Sequence, residues 1–470
     1  MERQFHSEQV FASMSNAQTI TIIGGGLAGS EAAWQAAERG ANVVLYEMRP
    51  VRPTPAHTSD RLAEIVCSNS FKSDEVNTAP YLLKEELRRA KSMLIDAAHA
   101  TRVPAGAALA IDREKFAEEV TARIAAHPRI EVRREEITEI PSEGIVIVAT
   151  GPLTSDALAA DIQKRTGDDQ LYFYDAIAPV VDAETIDFSI AFKAARYGKG
   201  GDDYVNCPFN KEEYEAFIDT LLASECVPPK NFEQGKAQYF EACLPIDVAV
   251  KRGRETLRFG PMKPVGLTDP RTGRTPWAAV QLRQETLLAD SYSIVGFQNS
   301  VKWGAQKDLL RMIPGLQNAE FVKFGQIHRN TYINAPRVLD NTMRMKTDPR
   351  IFFAGQISGV EGYVESLATG LATGIFAADL AQNRTPVAIP RETAIGSLIN
   401  YVANCETGNY QPVNITFALL PPLEEAERKR LKSKPDRKAR QVEIALRAFD
   451  GWRATVGVGE RIERTEAATL

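Results

Sequence analysis

Apolar positions along the chain fall into two periods, and their alternation marks out the elements. Thr19 to Ile23 is a short β-branched run, three spaced glycines follow, and an alanine-rich stretch runs to Gly40. A second apolar run, Asn42 to Tyr46, closes on Glu47. The pattern predicts a strand, a tight turn, a helix and a strand ending in an acid. Leu82 to Ala100 carries helical spacing with paired charges such as Glu86 and Arg89. Gly144 to Gly151, GIVIVATG, reads as a buried strand, and Arg350 to Gly355, RIFFAG, as another strand ending in glycine. A helix rich in small residues follows over Glu365 to Gly374. The middle, about 170 to 330, mixes aromatic strand-like runs with helices and reads as an inserted unit.

The spacing Gly24-x-Gly26-x-x-Gly29 sits where the first strand meets the first helix. In GGGLAG, Gly24 makes the turn, Gly26 lets backbone approach a pyrophosphate, and Gly29 lets helix and strand pack closely. Gly25, Leu27 and Ala28 complete the loop, whose helix start offers N–H groups to phosphates. Glu47, 23 residues after Gly24, is placed to take ribose hydroxyls. Strands 19–23 and 351–354 are expected in one sheet although over 300 residues separate them. That separation favours FAD over NAD as the tightly held cofactor, because NAD domains usually finish within one contiguous half. The second motif, Gly355 and Gln356 through Glu361, Gly362 and Tyr363, precedes a helix whose small residues would allow close approach to a flat ring. The positive N-terminal end of that helix would stabilise charge on a flavin. The fold class expected is α/β: a Rossmann-like, three-layer FAD-binding domain interrupted by an α+β insertion. Its parts are a loose tail (1–18), a first nucleotide-binding part (19–170), the insertion (171–330), and a second part (331–470) with a basic C-terminal helical segment.

Composition narrows the class. Of 470 residues, 44% are hydrophobic and 25% charged, as in soluble globular proteins. Net charge is −5, so nothing global calls for nucleic acid, although a local patch can still bind it. No apolar run is long enough to cross a membrane, and the first 18 residues lack the apolar core of a signal peptide. Five scattered cysteines form no CxxC, and five histidines form no cluster. No metal site is expected, and reduced thiols in the cytoplasm are.

Two cysteines stand in suggestive surroundings. Cys67 lies in a polar turn, Glu64-Ile-Val-Cys-Ser-Asn-Ser70. Cys243 follows Tyr239-Phe-Glu-Ala and precedes Lys251, Arg252 and Arg254, where positive charge would favour a thiolate. A buried structural cysteine is the alternative for each. The run Lys251 to Lys263 reads either as the lining of an anion cleft or as a solvated hairpin. His328 reads as structural. Tyr172 to Tyr174 and Tyr363 can stack on flat rings or fill a core. Arg428 to Arg440 holds eight basic residues against one acid, Asp436. Within it Lys429, Arg430, Lys432 and Lys434 form a candidate phosphate-binding stripe.

These motifs together resemble one family, the folate- and FAD-dependent tRNA uracil-5-methyltransferases (TrmFO, or Gid). The matching segments include GGGLAGSEAAWQAAERG at 24–40, AEIVCSNS at 63–70, VPAGAALAIDRE at 103–114, FEACLPIDVAVKRG at 240–253, FGPMKPVGL at 259–267 and FAGQISGVEGYVES at 353–366. They span nearly the whole chain after residue 18. The resemblance implies two functional cysteines at Cys67 and Cys243 and a flavin-stacking tyrosine at Tyr363. It implies methylation of the T-loop uracil at position 54 of tRNA. FAD and NAD(P)H would be used, with 5,10-methylenetetrahydrofolate and not S-adenosylmethionine as carbon donor. Cys243 is expected to add to uracil C6, with Cys67 as the base or as the thiol guarding the flavin. The protein would act in the cytoplasm, off the membrane, as a monomer or homodimer. Two alternatives are the related flavoprotein family that modifies the wobble uridine, and a non-catalytic RNA-binding flavoprotein.

Overall fold

The computed structural model describes residues 18–167, 171–198, 201–227, 244–406 and 410–459. Cys243 and nearly all of the N-terminal tail lie outside them, as do the side chains of Tyr172 to Tyr174 and His328.

The β-branched runs pair edge to edge. Strands β1 (Ile20–Ile23), β2 (Val43–Tyr46), β6 (Ile130–Arg133), β7 (Ile145–Val148) and β16 (Ile351–Phe353) form one sheet in the order β16-β7-β1-β2-β6. All four pairings are parallel. The two runs distant in sequence therefore share a sheet, as the pattern predicted. β7 is buried along its whole length, which explains its unbroken apolar run. Crossover connections in a parallel sheet need helices, and α1 (Leu27–Glu38) supplies the first.

Leu82 to Ala100 is not one helix. It divides into α2 (Ala79–Arg89) and α3 (Met93–Ala100). Lys91 adopts a left-handed conformation (φ 59°), and the Ser92 side chain accepts from Ile95 N to start the second helix. Glu31 of α1 accepts from Ser92 Oγ and Leu94 N, tying that break to the core. A small antiparallel sheet, β3 (Ser70–Ser73), β5 (Ala108–Ile111) and β4 (Arg102–Val103), leads into α4 (Arg113–Ala126).

The middle of the chain builds a second, wholly antiparallel sheet. Its order is β10 (Phe192–Lys193), β11 (Tyr204–Phe209), β12 (Ala278–Gln284), β13 (Ser291–Ile294), β9 (Val180–Asp182) and β14 (Phe321–Lys323). The chain enters through β8 (Leu171–Ala176) and leaves through β15 (Ile327–Tyr332), which pair with each other. Buried apolar side chains from residues 181–319 form one core, and those from 20–162 and 332–458 form another.

After β16 comes α5 (Tyr363–Ala381), then α6 (Ala394–Asn404), α7 (Glu425–Arg430) and α8 (Lys434–Val456). α5 is long and apolar enough to cross a membrane, but it is almost wholly buried in the first core.

Candidate functional site

The glycine loop forms the floor of a cleft. A Cβ on Gly24 would lie 2.5 Å from Ala149 O, and one on Gly29 would lie 1.8 Å from Gly24 O. These two glycines are required by packing, as their spacing suggested. A Cβ on Gly25 would meet the Leu62 side chain at 2.5 Å. Around Gly26 there is nothing within 4 Å. Gly26 is also the N-cap of α1, and no side chain caps the helix there. The first N–H groups of α1, at Leu27 and Ala28, thus face open space. The cleft above them is walled by Glu47 to Arg49, Thr150 to Ser155, Gly355, Gln356 and Tyr363. Ser155 Oγ in its wall is buried without a hydrogen-bond partner among the described residues. Open backbone at a helix start, a buried orphan hydroxyl and an acid at the tip of β2 together fit an adenine dinucleotide.

That acid is more engaged than the sequence implied. Glu47 Oε1 accepts from Arg49 N (3.0 Å) and Arg49 Nε (2.9 Å), and Oε2 accepts from Gly25 N (3.1 Å) and Arg49 Nη2 (3.1 Å). Burial works to raise the carboxyl, but Arg49 outweighs it and holds Glu47 below the usual range. A ribose hydroxyl would share a carboxylate that already orders both the glycine loop and Arg49. Arg49 also reaches Glu64 Oε2 at 3.1 Å, so the acid anchors residues 59 to 64 as well. His57, hydrogen-bonded to Thr54 Oγ1, is pushed down to about 4 by burial and the Arg49 charge, so it faces the cleft neutral.

The opposite wall comes from the second motif. Gly355 (φ 75°) is pressed on α1, its notional Cβ 2.8 Å from Ala28 Cβ. Gly362 (φ 121°) caps α5, and a Cβ there would meet Glu365 Oε2 at 2.2 Å. Gln356 in the wall donates through Nε2 to Glu361 Oε2 at 2.6 Å, and Glu361 is turned into the protein. Small residues of α5 also serve packing. Cβ atoms on Gly370 and Gly374 would sit 2.3 and 2.5 Å from the backbone oxygens of Ala28 and Ala32. They let α5 press against α1. The first turn of the helix, at Tyr363 and Ser366, faces the cleft.

Cys67 is brought to that start. Tyr363 Oη accepts from Cys67 N (2.9 Å) and Ser68 N (3.0 Å). Burial raises the phenol well above its ordinary value, so it is a neutral anchor for the loop. The second sheet grips the same loop from the other side. Arg283 of β12 donates to Asn69 Oδ1 (2.7 Å) and Ser68 Oγ (2.8 Å), and Asn69 Nδ2 donates to Gln284 O (2.8 Å). Arg113, at the head of α4, donates to Val66 O (3.0 Å) and pairs through both ends of its guanidinium with Glu285. Arg113, Arg283 and Lys323 all lie within electrostatic reach of Cys67. Burial, with Arg113 beside it, lowers Lys323 below the usual range for a lysine. Sequence reading missed Arg49, Arg113, Arg283, Glu285 and Lys323. Asn69 and Arg113 stood inside quoted motifs, but Arg283 and Glu285 had no local signal.

Two other expectations change. In the basic run, Arg254 is taken up by Glu215 and Asp219, and Arg258 by Glu255 while stacking 3.8 Å over the Trp277 ring. The run includes the short helix Thr256–Phe259 and is not a hairpin. The C-terminal stripe crosses a break between α7 and α8. Lys429 (paired with Glu425), Arg430 and Lys434 project into solvent from the two helices, and Lys432 projects from the link between them. No group of metal-binding side chains occurs among the described residues.

With this geometry in view, comparison with known proteins is decisive. The sequence profile of the family described as "Glucose inhibited division protein A" matches residues 19–385. The protein of Koribacter versatilis named methylenetetrahydrofolate–tRNA-(uracil-5-)-methyltransferase TrmFO is 58% identical over 93% of this chain and 98% of its own length. The TrmFO of Geobacter sulfurreducens is 55% identical, covering 93% of this chain and 99% of that protein. The chain belongs to the TrmFO family. Among solved structures, Aquifex aeolicus GidA in its form I crystal superposes with a TM-score of 0.67 at 17% identity, covering 94% of this chain and 76% of GidA. That likeness shows the fold, and in it the TrmFO chain is the shorter.

Proposed function

We propose that this chain is the methylenetetrahydrofolate–tRNA-(uracil-5-)-methyltransferase of its organism, forming 5-methyluridine at position 54 in the T loop. One observation carries the reading: Tyr363, at the mouth of a cleft shaped for an adenine dinucleotide, holds the backbone of the Cys67 loop through two hydrogen bonds. Gly24 to Gly29 and the start of α1 would hold the pyrophosphate of FAD, and Tyr363 would stand beside its ring. When bound, FAD supplies a carrier for the one-carbon unit and a hydride, NAD(P)H being the reductant and methylenetetrahydrofolate the donor. Near-complete coverage of TrmFO relatives at 55% and 58% identity favours this over the wobble-uridine reading.

The chain's own residues do the rest. Uracil C5 is a poor nucleophile until a group adds at C6. The Cys243 thiolate forms that C6–S bond, and electron density moves to C5, which attacks the methylene. Loss of the C5 proton then breaks the bond between the methylene and its carrier, a hydride that bound FAD would supply adds to the methylene to make the methyl group, and the C6–S bond breaks to restore the thiolate. Cys67, on the wall side, is the base or the guard of the carrier. Arg113, Arg283 and Lys323 meet negative charge that develops nearby. The enzyme works in the cytoplasm on free tRNA, as a monomer or homodimer.

The test is direct. Purified protein should be yellow and should methylate unmodified tRNA with labelled methylenetetrahydrofolate and NAD(P)H. Label arriving only from S-adenosylmethionine would overturn the assignment. Cys243→Ala should keep flavin and its reduction, but fail both to methylate and to trap tRNA carrying 5-fluorouracil at the target. Cys67→Ala should fail to methylate yet still trap. Trapping lost only in Cys67→Ala would exchange the two roles.

A further inference from the structure

Between β10 and β11 the chain makes a tight turn, Arg196–Gly198, that none of the site described so far uses. Tyr197 within it is left-handed (φ 60°, ψ 20°), a conformation that bulky residues rarely adopt. The turn is held there. Tyr197 N donates to Gly266 O at 3.1 Å, and the ring lies so close to Gly266 that a Cβ there would meet Cδ1 at 2.9 Å. Although braced on this side, the residue is 60% exposed. Arg196 beside it is the reverse. Its Nε and Nη2 are buried and have no hydrogen-bond partner among the described residues. The groups that act on its charge are the hydroxyls of Tyr197 and Tyr204, and no carboxylate is among them. Asp203, just before β11, accepts instead from Gly106 N at 2.6 Å. A guanidinium with two buried, unused donors is costly unless an anion completes it.

The turn also has a connection to the chemistry. Tyr204 stands opposite Arg283 in the β11–β12 register, so their side chains are neighbours on one face. Arg283 holds Ser68 and Asn69, next to Cys67. Arg196 is therefore linked to the Cys67 loop through Tyr204 and Arg283, and neither Arg196 nor Tyr197 lines the cleft that the dinucleotide fits. A ligand engaged at Cys67 and also at Tyr197 must run out across the second sheet, as a strand of nucleic acid does and a compact donor held in the cleft does not. An exposed aromatic face beside an unsatisfied arginine is the pairing that single-stranded RNA uses, one for a base and the other for its phosphate.

Resting on the methyltransferase reading, we infer that Arg196 and Tyr197 form a nucleotide subsite for the RNA substrate. The Arg196 guanidinium turns out of its unsatisfied buried position to pair with a phosphodiester, and the Tyr197 ring stacks under an unpaired base flanking the target uracil.

The test uses flavin-loaded full-length enzyme and an unmodified T-arm stem-loop, with binding measured over a salt series. Arg196→Gln should weaken binding on the order of tenfold, and its plot of log affinity against log salt should flatten by about 0.7 for one lost contact. Tyr197→Leu should weaken binding by a similar factor with the salt slope unchanged, while Tyr197→Phe stays near wild type. The KM for methylenetetrahydrofolate and the flavin spectrum should not move in any of them. Should Arg196→Gln fail to fold, the Leu and Phe pair at Tyr197 decides alone. A raised KM for methylenetetrahydrofolate with RNA binding intact would assign the arginine to a folate carboxylate and overturn the proposal. So would wild-type binding in all three variants. If instead the wild-type enzyme methylates no tRNA, the methyltransferase reading itself has failed.

Discussion

The floor of the cleft and the loop that carries Cys67 are held by opposite means. The floor lies within one core: residues 20 to 47 form a strand, turn, helix and strand that pack on β6, β7 and α5. Its glycines are fixed by near neighbours, Gly29 against Gly24 and Gly25 against Glu47. The Cys67 loop has little structure of its own. It is suspended between Tyr363, almost 300 residues away, and Arg283, more than 200 residues away. Cofactor binding can thus survive damage that destroys catalysis, because the floor does not depend on the second sheet. Catalysis depends on both halves meeting at one short loop.

The largest effect expected is at the floor. Gly29→Val has no room, since even a Cβ would lie 1.8 Å from Gly24 O, and should prevent folding or cost several kcal/mol. Gly26→Val, by contrast, projects into open space and should fold with a near-normal melting transition yet emerge colourless. A yellow Gly26→Val protein with full flavin would show that the pyrophosphate does not rest there.

Next comes the suspension of the loop. Arg283→Leu removes two charge-assisted hydrogen bonds to Ser68 and Asn69 and leaves their polar groups buried. We expect about 2–4 kcal/mol of lost stability and activity reduced at least a hundredfold, with flavin retained in the fraction that folds. Flavin lost in step with activity would show that the two regions are not separable.

A third prediction concerns pH. Glu31 of α1 and Glu86 of α2 are fully buried, and burial raises them from 4.5 to about 7 and about 8. Glu86 accepts from Ala394 N and Ile395 N at the start of α6. In the unfolded chain both ionise near 4.5, so above that pH the fold holds the extra protons. Stability should therefore fall as pH rises from about 5 toward 8, by about 1 kcal/mol per unit for each group still protonated in the fold. Thermal unfolding of Glu86→Gln across that range should show a shallower decline. An unchanged slope would mean that Glu86 is ionised in the folded protein.

The smallest effect is expected at the C-terminal stripe. Neutralising Lys429, Lys432 and Lys434 should leave flavin and stability intact and flatten the salt dependence of tRNA binding by about 0.7 to 0.9 per phosphate contact. Lys429 already has Glu425 for company, so its share should be least. An unchanged slope would make the stripe a solvated surface.

The amino-acid sequence alone determined the parallel sheet, the glycine floor and the long return from β1 to β16, because each rests on a pattern within a few residues: β-branched runs, fixed glycine spacing, a terminal acid. It also pointed to Tyr363 and Cys67 through the motifs that surround them. The meeting of those two residues was decided only in three dimensions, as was their enclosure by Arg113, Arg283 and Lys323. Arg283 is a strand residue with no motif around it, and it becomes functional because β12 faces the Cys67 loop. Glu47 was legible as an acid at a strand end, but its four donors come from a loop and an arginine that fold back on it. Gly370 and Gly374 of α5 serve helix packing while Ser366 in its first turn lines the cleft, because a small side chain permits either. Local pattern specifies backbone; which side chains face one another depends on how distant surfaces close, and a linear pattern does not carry that.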